Sequence, residues 1–335
     1  MSHLGPYFRA LSEIFTFFDY EQTRGFSKRA TSMKRVCLLA AASLLAQASW
    51  TAAWADDAAP SAMDQATSMF DEGKLLATGG VSNVEGAGGG GIASWALITG
   101  YGTHDGFGID AHATLLTMPD YTLTTWGVAA GLWDRVEISY ARQSFDTKDV
   151  GRKLGLGHGF TFDQDIYGAK VKLIGDAVYE QDSWLPQIAA GAQYKQNDRG
   201  AIIHLVGGKS AEGVDYYVAA TKVFLDESLL VDATVRETRA NQFGILGFGG
   251  DKDSNYSPEF EGSAAYLFSR KFAVGAEYRT KPDNLGFARE DDAWDIFAAY
   301  FLCKNLSLTA AYVDLGNITI TNHQDGFYLS LQAAL

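Results

Sequence analysis

The sequence predicts an all-β fold, a transmembrane antiparallel up-and-down β-barrel of about 14 strands with 12 as the alternative, and three observations carry that prediction. The first is alternation. In Pro258–Phe268, residues Phe260, Gly262, Ala264, Tyr266 and Phe268 fall on one face of an extended strand and Glu259, Glu261 and Ser263 on the other. After Ser269–Lys271 the pattern returns, with Phe272, Val274, Ala276 and Tyr278 opposed to Ala273, Gly275, Glu277 and Arg279. A greasy face ending in aromatics, backed by a charged one, is what a hairpin between lipid and a water-facing lumen requires. The second is composition: 36 glycines, 13% aromatic residues, 6 prolines and no apolar run long enough for a membrane helix favour many short strands. The third is loop asymmetry. Short connections (Trp133–Arg135, Asp226–Ser228, Ser269–Lys271, Cys303–Asn305) alternate with long ones (Thr147–Phe160, Asn197–Gly213, Asn241–Ser257, Lys281–Asp292), as periplasmic turns and external loops do. Gly175–Trp184 is the exception on the short side.

In chain order, Met33–Ala55 reads as a signal peptide: Lys34 and Arg35 start it, an apolar run covers Val36–Ala46, and Ala53 and Ala55 form a small-x-small end with cleavage before Asp56. Residues 1–32 precede it awkwardly and read as an over-extended reading frame, with a functional extension as the alternative. Asp56–Gly73 reads as a periplasmic leader, and residues 74–335 as the barrel. Removing residues 1–55 takes six of the 27 basic and three of the 40 acidic residues, which leaves a mature charge of −16 and excludes nucleic-acid binding. Only Cys303 survives processing, so neither an intramolecular disulfide nor a cysteine metal site is available.

Strands are expected at Lys74–Val84, Ile92–Thr103, Gly108–Met118, Tyr121–Leu132, Val136–Asp146, Thr161–Ile174 and Leu185–Gln196. Further strands are expected at Val214–Leu225, Leu229–Ala240, Pro258–Phe268, Phe272–Thr280, Ala293–Leu302, Leu306–Asp314 and Gly326–Leu335. The last places Phe327, Leu329, Leu331, Ala333 and Leu335 on one face and resembles the C-terminal insertion signal of outer-membrane proteins, with Leu335 where an aromatic is usual.

Two motifs fail on context. Gly86, Gly88 and Gly91 match the dinucleotide-binding glycine spacing, but a strand pattern follows instead of a helix, so the stretch is expected to be a flexible loop. Gly208, Lys209 and Ser210 end like a phosphate-binding loop, yet Ile203 stands where its first glycine belongs. The histidines of the mature chain, His104, His112, His158, His204 and His323, lack ligand spacing, so no metal and no cofactor is expected. His158, His323, Asp283, Glu290, Asp291 and Asp292 are the candidates for a hydrolase at the outer rim, a class kept only as an alternative because spacing brings no nucleophile and base together.

Several segments also have a familiar wording: KLLATGGVSNVEG, GDAVYEQDSWLPQIAAGAQYK, NQFGILGFGGD, and EYRTKPDNLGFAREDDAWD followed by AYVDLG. Together they resemble the proteobacterial family catalogued as domain of unknown function 3034, over roughly Gly73 to Leu335. The resemblance implies an envelope location and a single domain; it carries no activity and no site residue.

Counting outward from three-residue turns places Leu225 opposite Leu229 and Phe268 opposite Phe272. Lys222 then faces Asp232, Glu261 faces Arg279, and Glu259 faces Lys281, an ion-pair ladder on the lumenal wall. Glu137, Lys170, Lys172, Lys195, Arg236, Glu277 and Asp295 are also expected to point inward. The loop Lys281–Asp292, with Asp283, Arg289, Glu290, Asp291 and Asp292, is expected at the mouth, solvated or folded over the lumen. These features imply a passive pore for small polar solutes with weak charge selectivity, and a non-conducting structural barrel as the alternative. The expected partners are outer-membrane lipid and lipopolysaccharide and the barrel-assembly machinery.

Overall fold

The computed structural model describes residues 73–79 and 81–335. Twelve antiparallel strands form a closed up-and-down barrel in which each strand pairs with its chain neighbours and β1 closes on β12. The strands are β1 Phe107–Thr117, β2 Thr122–Leu132, β3 Val136–Asp146, β4 Thr161–Ile174, β5 Gln187–Asn197 and β6 Glu212–Phe224, followed by β7 Leu229–Thr238, β8 Ser257–Ser269, β9 Phe272–Arg279, β10 Ala293–Cys303, β11 Leu306–Asp314 and β12 Asp325–Ala334. Most are long enough to cross a bilayer when tilted. Full closure leaves no unpaired edge for lipid to meet. No described helix is long and apolar enough to span a membrane.

The strand count is the lower of the two expected. Lys74–Val84 and Ile92–Thr103 are not strands, and the physical reason is burial: residues 82–96 are buried without a break, so the segment has no lipid face. It folds back on itself through isolated bridges, Ser82 with Gly88 and Gly89 with Ser94, inside the barrel. The predicted signal peptide, the N-terminal 32 residues and nearly all of the predicted leader lie outside the described residues.

Along β8 the expected alternation is present, with Phe260, Ala264, Tyr266 and Phe268 exposed on the outside and Glu261, Ser263 and Ala265 buried inside. The outer face carries two aromatic girdles. One lies toward the long loops, where Trp126, Tyr140, Tyr167 and Tyr194 follow one another around the wall and Trp294, Tyr312 and Phe327 do the same on the far side. The other lies at the short turns, with Phe268 between Tyr266 and Phe272 and Trp184 against Phe224. Phenol groups of the first girdle reach outward to carboxylates, as Tyr140 does to Asp165 at 2.8 Å and Tyr194 to Glu212 at 2.6 Å.

Helices α1 (Lys148–Lys153) and α2 (Gly200–Leu205) sit in the β3–β4 and β5–β6 loops. The β7–β8 loop turns inward at Asn241–Gly244, where Gln242 and Phe243 adopt left-handed φ values of 46° and 59°. Such conformations persist only where surrounding contacts over-determine them.

Because Ile296 is exposed on the outer face of β10, two residues in from Trp294 of the girdle, Ile296→Arg should lower stability by up to the roughly 2–4 kcal/mol of a midplane arginine in urea titrations of folding into vesicles. An unchanged midpoint would show that this face does not meet hydrocarbon.

Candidate functional site: a filled lumen

Inward-facing carboxylates on the strands reach the backbone of residues 81–101. Glu137 of β3 accepts the N–H of Gly88 and of Thr99, each at 2.9 Å. Glu277 of β9 accepts those of Gly91 and Ile92, both at 2.7 Å, and Glu261 of β8 accepts that of Ser94 at 2.7 Å. Hydroxyls complete the hold: Thr221 Oγ1 accepts the N–H of Ala96 at 2.7 Å, and Thr234 donates to the Ser94 carbonyl at 2.7 Å. Lys170 Nζ donates to the carbonyls of Gly88 and Trp95 at 3.0 and 3.1 Å while paired with Glu137 at 3.0 Å.

The glycine run is therefore not the flexible loop expected from sequence. It is buried and bonded, and glycine is required by close approach. A β-carbon on Gly90 would lie 1.6 Å from Glu277 Oε1, and one on Gly89 would lie 2.3 Å from the Ala93 carbonyl oxygen. The dinucleotide spacing is accounted for by the same packing.

At the centre, Glu85 of the inner segment is the hub of a buried ion network. Arg279 Nη1 reaches it at 2.9 Å, Lys195 donates to it, and Arg236 stands at 3.8 Å. Lys195 is also paired with Asp215 at 2.6 Å. Arg236 donates to Glu261, to Gln193 at 2.8 Å and to Ser94 Oγ at 2.9 Å. The side chains of Glu85, Lys195, Asp215, Arg236 and Glu261 have no exposed surface at all. Above them Phe243 packs on the Arg279 guanidinium, 4.3 Å from ring centroid to Cζ, and gives its carbonyl to Lys195 at 3.2 Å.

Of the ladder residues, Glu261 does lie directly opposite Arg279, and both face the lumen. The others diverge. Lys222 pairs in register with Val231, and Asp232 with Thr221, because the β6–β7 turn is one residue longer than assumed and Phe224, not Leu225, faces Leu229. A slip of one residue moves a side chain to the other face. Lys222 accordingly leaves the lumen and donates to the carbonyls of Asp176, Glu180 and Leu185 in the β4–β5 connection. Asp232 stays inside and accepts from Thr221 and Thr234. At the β8–β9 turn a bulge lets Ser269, not Phe268, face Phe272, and it absorbs the extra residue before Glu261 is reached. Glu259 accepts from Thr280 and Ser257 rather than from Lys281. Opposite charges do not meet everywhere, since Asp295 faces Glu277 across β9–β10. Glu277 is supplied with backbone donors instead.

Lys281 and Glu290 form a latch above the lumen. Lys281 Nζ donates to Gln242 Oε1 at 3.1 Å and to the Leu315 carbonyl at 2.7 Å, and it stands 3.6 Å from Glu290. Glu290 accepts the Gln242 N–H at 2.7 Å, which helps hold that residue in its left-handed conformation. Burial pushes the Glu290 carboxyl up to about 7, against the pull of Lys281. The same burial lowers the Lys281 ammonium. Two of the remaining loop candidates brace the latch, Asp283 accepting the Glu290 N–H at 3.1 Å and Asp292 the Lys281 N–H at 3.4 Å, and their other contacts face outward. Asp283 pairs with Lys252 at 2.9 Å, Arg289 with Asp291 at 3.1 Å, and Asp292 accepts the Tyr278 hydroxyl. His158 Nδ1 lies 3.0 Å from Asp149 in an exposed loop, and His323 is exposed in the β11–β12 loop, so neither meets the buried Glu290. Lys172 lies at the turn end against Asp134.

Glu85, Ser94, Gln193 and Asp215 were not singled out from sequence. For Asp215 a signal existed: Tyr216 and Val218 are the apolar face of β6, which turns Asp215 and Tyr217 inward and contradicts the turn count. For Glu85 none existed, because nothing local says that a strand-like segment lies inside the barrel.

These observations define a transmembrane β-barrel whose lumen is filled by its own N-terminal segment. The chain belongs to the family described as Protein of unknown function (DUF3034), whose model matches residues 78–332 and so spans both the inner segment and the strands. No curated protein matches the sequence. Among solved structures it is similar to a KdgM porin, at 11% identity and a TM-score of 0.42 over 68% of this chain and 98% of that one. It is also similar to an outer membrane channel from Pseudomonas putida F1, at 13% identity and 0.40 over 68% and 93%. A third is outer membrane phospholipase A from Escherichia coli, at 10% identity and 0.39 over 70% and 94%. The description of the fold rests on the strand register of this chain.

Two outcomes follow from the network and the latch. Arg236→Met removes one of the two cations beside Glu261 and beside Asp215, leaving Arg279 at 3.3 Å and Lys195 at 2.6 Å, so urea unfolding should register a loss of at most the roughly 3–5 kcal/mol that breaking a buried ion pair costs. A folded-state value for Glu290 of about 7, above the ordinary 4.5, means that the proton is held more tightly in the closed latch. The contribution is therefore complete below pH 4.5 and is lost as the pH rises through about 7. Amide exchange in residues 281–292, corrected for intrinsic rates, should be slower at about pH 5 than at about pH 8, and Glu290→Gln should abolish the difference.

Proposed function

We propose that this protein is an outer-membrane channel closed by its own N-terminal segment, conducting when that segment withdraws. The observation that carries the reading is the manner of closure. Residues 82–96 are buried inside the wall and held by hydrogen bonds and ion pairs to side chains of the strands, beside the apolar packing of Val84, Ile92, Ala93 and Trp95. Each such bond has a small net worth, because water takes over the partners when they separate. The polar part of this closure can pass to water when the segment withdraws, while the packing of Val84, Ile92 and Trp95 opposes withdrawal. The wall left behind carries Glu137, Lys170, Lys195, Arg236, Glu261, Glu277 and Arg279, a mixture of signs that fits small polar solutes and weak charge selectivity. Lipid and lipopolysaccharide around the aromatic girdles, and the barrel-assembly machinery during insertion, belong to the same reading.

A second reading, a structural barrel that never conducts, is favoured by the complete burial of the Glu85 network, since breaking it exposes unpaired charges at considerable cost. Planar-bilayer recording separates the two. The wild type should be closed or open only rarely. Gly90→Val, whose β-carbon would lie 1.6 Å from Glu277 Oε1 of the wall, should displace the segment and give frequent openings with little preference between small cations and anions. Silence from both proteins, each confirmed as folded by heat-modifiable gel migration, would leave the structural barrel.

A further inference from the structure

A cavity of about 420 Å³ opens among the long loops, outside the ion network. Its wall includes Tyr121, Phe145, Leu156, Phe162, Ile202 and Leu246, contributed by the ends of β3 and β4 and by the loops around them. The volume lies within the range of small-molecule sites, which are mostly apolar with a few polar groups at the edge. Its polar groups are already engaged or sparse: the Tyr121 hydroxyl donates to the Ile318 carbonyl at 3.0 Å, and Thr147 Oγ1 donates to the Phe160 carbonyl at 2.7 Å. The one charged residue on the wall is Asp251, exposed at the rim, where the Gly286 N–H binds its Oδ1 at 2.7 Å and helps keep it ionised.

Apolar side chains line this cleft without filling it. Phe145, Phe162 and Leu246 are buried, so the cleft has a fixed floor; Ile202 and Leu156 form half-buried sides. Phe145 also borders the small void against Val84 and Ile92, which places the floor one side chain from the segment that closes the lumen.

We propose that this cleft is a binding site for a compact, uncharged apolar or aromatic molecule, and that Asp251 disfavours anionic ones. A ring system or short aliphatic chain gains free energy in proportion to the apolar area it removes from water on such a wall. A carboxylate or sulfonate would bring like charge toward Asp251 and lose hydration against apolar side chains. The site goes beyond the channel reading, because it takes a ligand whether or not the barrel conducts.

The test uses the full barrel in lipid nanodiscs and two fluorescent probes, neutral phenylnaphthylamine and anionic anilinonaphthalene sulfonate. Partition into lipid is linear in probe, so only the saturable part, over protein-free discs, is read. Wild type should show one saturable site for the neutral probe and weaker binding of the sulfonate. Ile202→Asp, and independently Leu156→Asp should the first fail to fold, should weaken the neutral probe by about tenfold or more. Asp251→Asn should narrow the gap between the probes. Absence of saturable binding in wild type, saturable binding that the folded Asp variants leave unchanged, or a wild-type preference for the sulfonate would each overturn the proposal. Bilayer conductance, measured separately, bears on the channel alone.

Discussion

Everything inside this barrel depends on one constraint: a backbone segment enclosed by a closed wall must find a partner for every N–H it brings in. Water cannot follow it into a space that the segment itself fills, and an unmet amide there would cost a few kcal/mol. The segment meets part of the demand itself, as Val84 donates to Gly91 and Trp95 to Gly88, and wall carboxylates meet much of the rest. Glu137, Glu261 and Glu277 stand on three different strands and each accepts from the inner segment, two of them from two amides at once. Glycine at Gly88, against Glu137, and at Gly90, against Glu277, lets the chain come close enough for those bonds to form.

The cations follow from the same arrangement. Carboxylates gathered into one enclosed space repel one another, and Lys170, Lys195, Arg236 and Arg279 compensate that field while reaching the segment's carbonyls, its Glu85 or its Ser94. The lumenal charges are thus shared between the wall and its contents. Removing the contents would leave a wall of mixed sign that needs water or solute ions, as the proposed channel reading requires.

The two ends of the molecule are built differently for the same reason. At the loop end, the inward turn of Asn241–Gly244 and the Lys281–Glu290 latch close the space above the network, and they accept left-handed backbone at Gln242 and Phe243 to do so. At the turn end, the closure comes from the segment's entry, with Lys74 paired to Asp134 at 2.7 Å, and from the chain terminus, where Leu335 bonds to Ile109 and accepts from Tyr101.

What the sequence determined by itself is the wall. Alternation of apolar and polar residues is a local property of extended chain in contact with lipid on one side, so strands β3, β4 and β11 have the expected bounds and the other nine agree to within about two residues. The asymmetry of the loops was equally legible, as was the Glu261–Arg279 pair. What only the tertiary structure decided is the interior. Ile92–Thr103 alternates like a strand, but whether such a segment joins the wall or fills it depends on the barrel's circumference and on acceptors more than a hundred residues away, such as Glu261 and Glu277. The register at Lys222 was decided by one extra turn residue, and the pairing of Lys281 by a loop that folds inward. Each of these depends on contacts distant along the chain, which local periodicity does not encode.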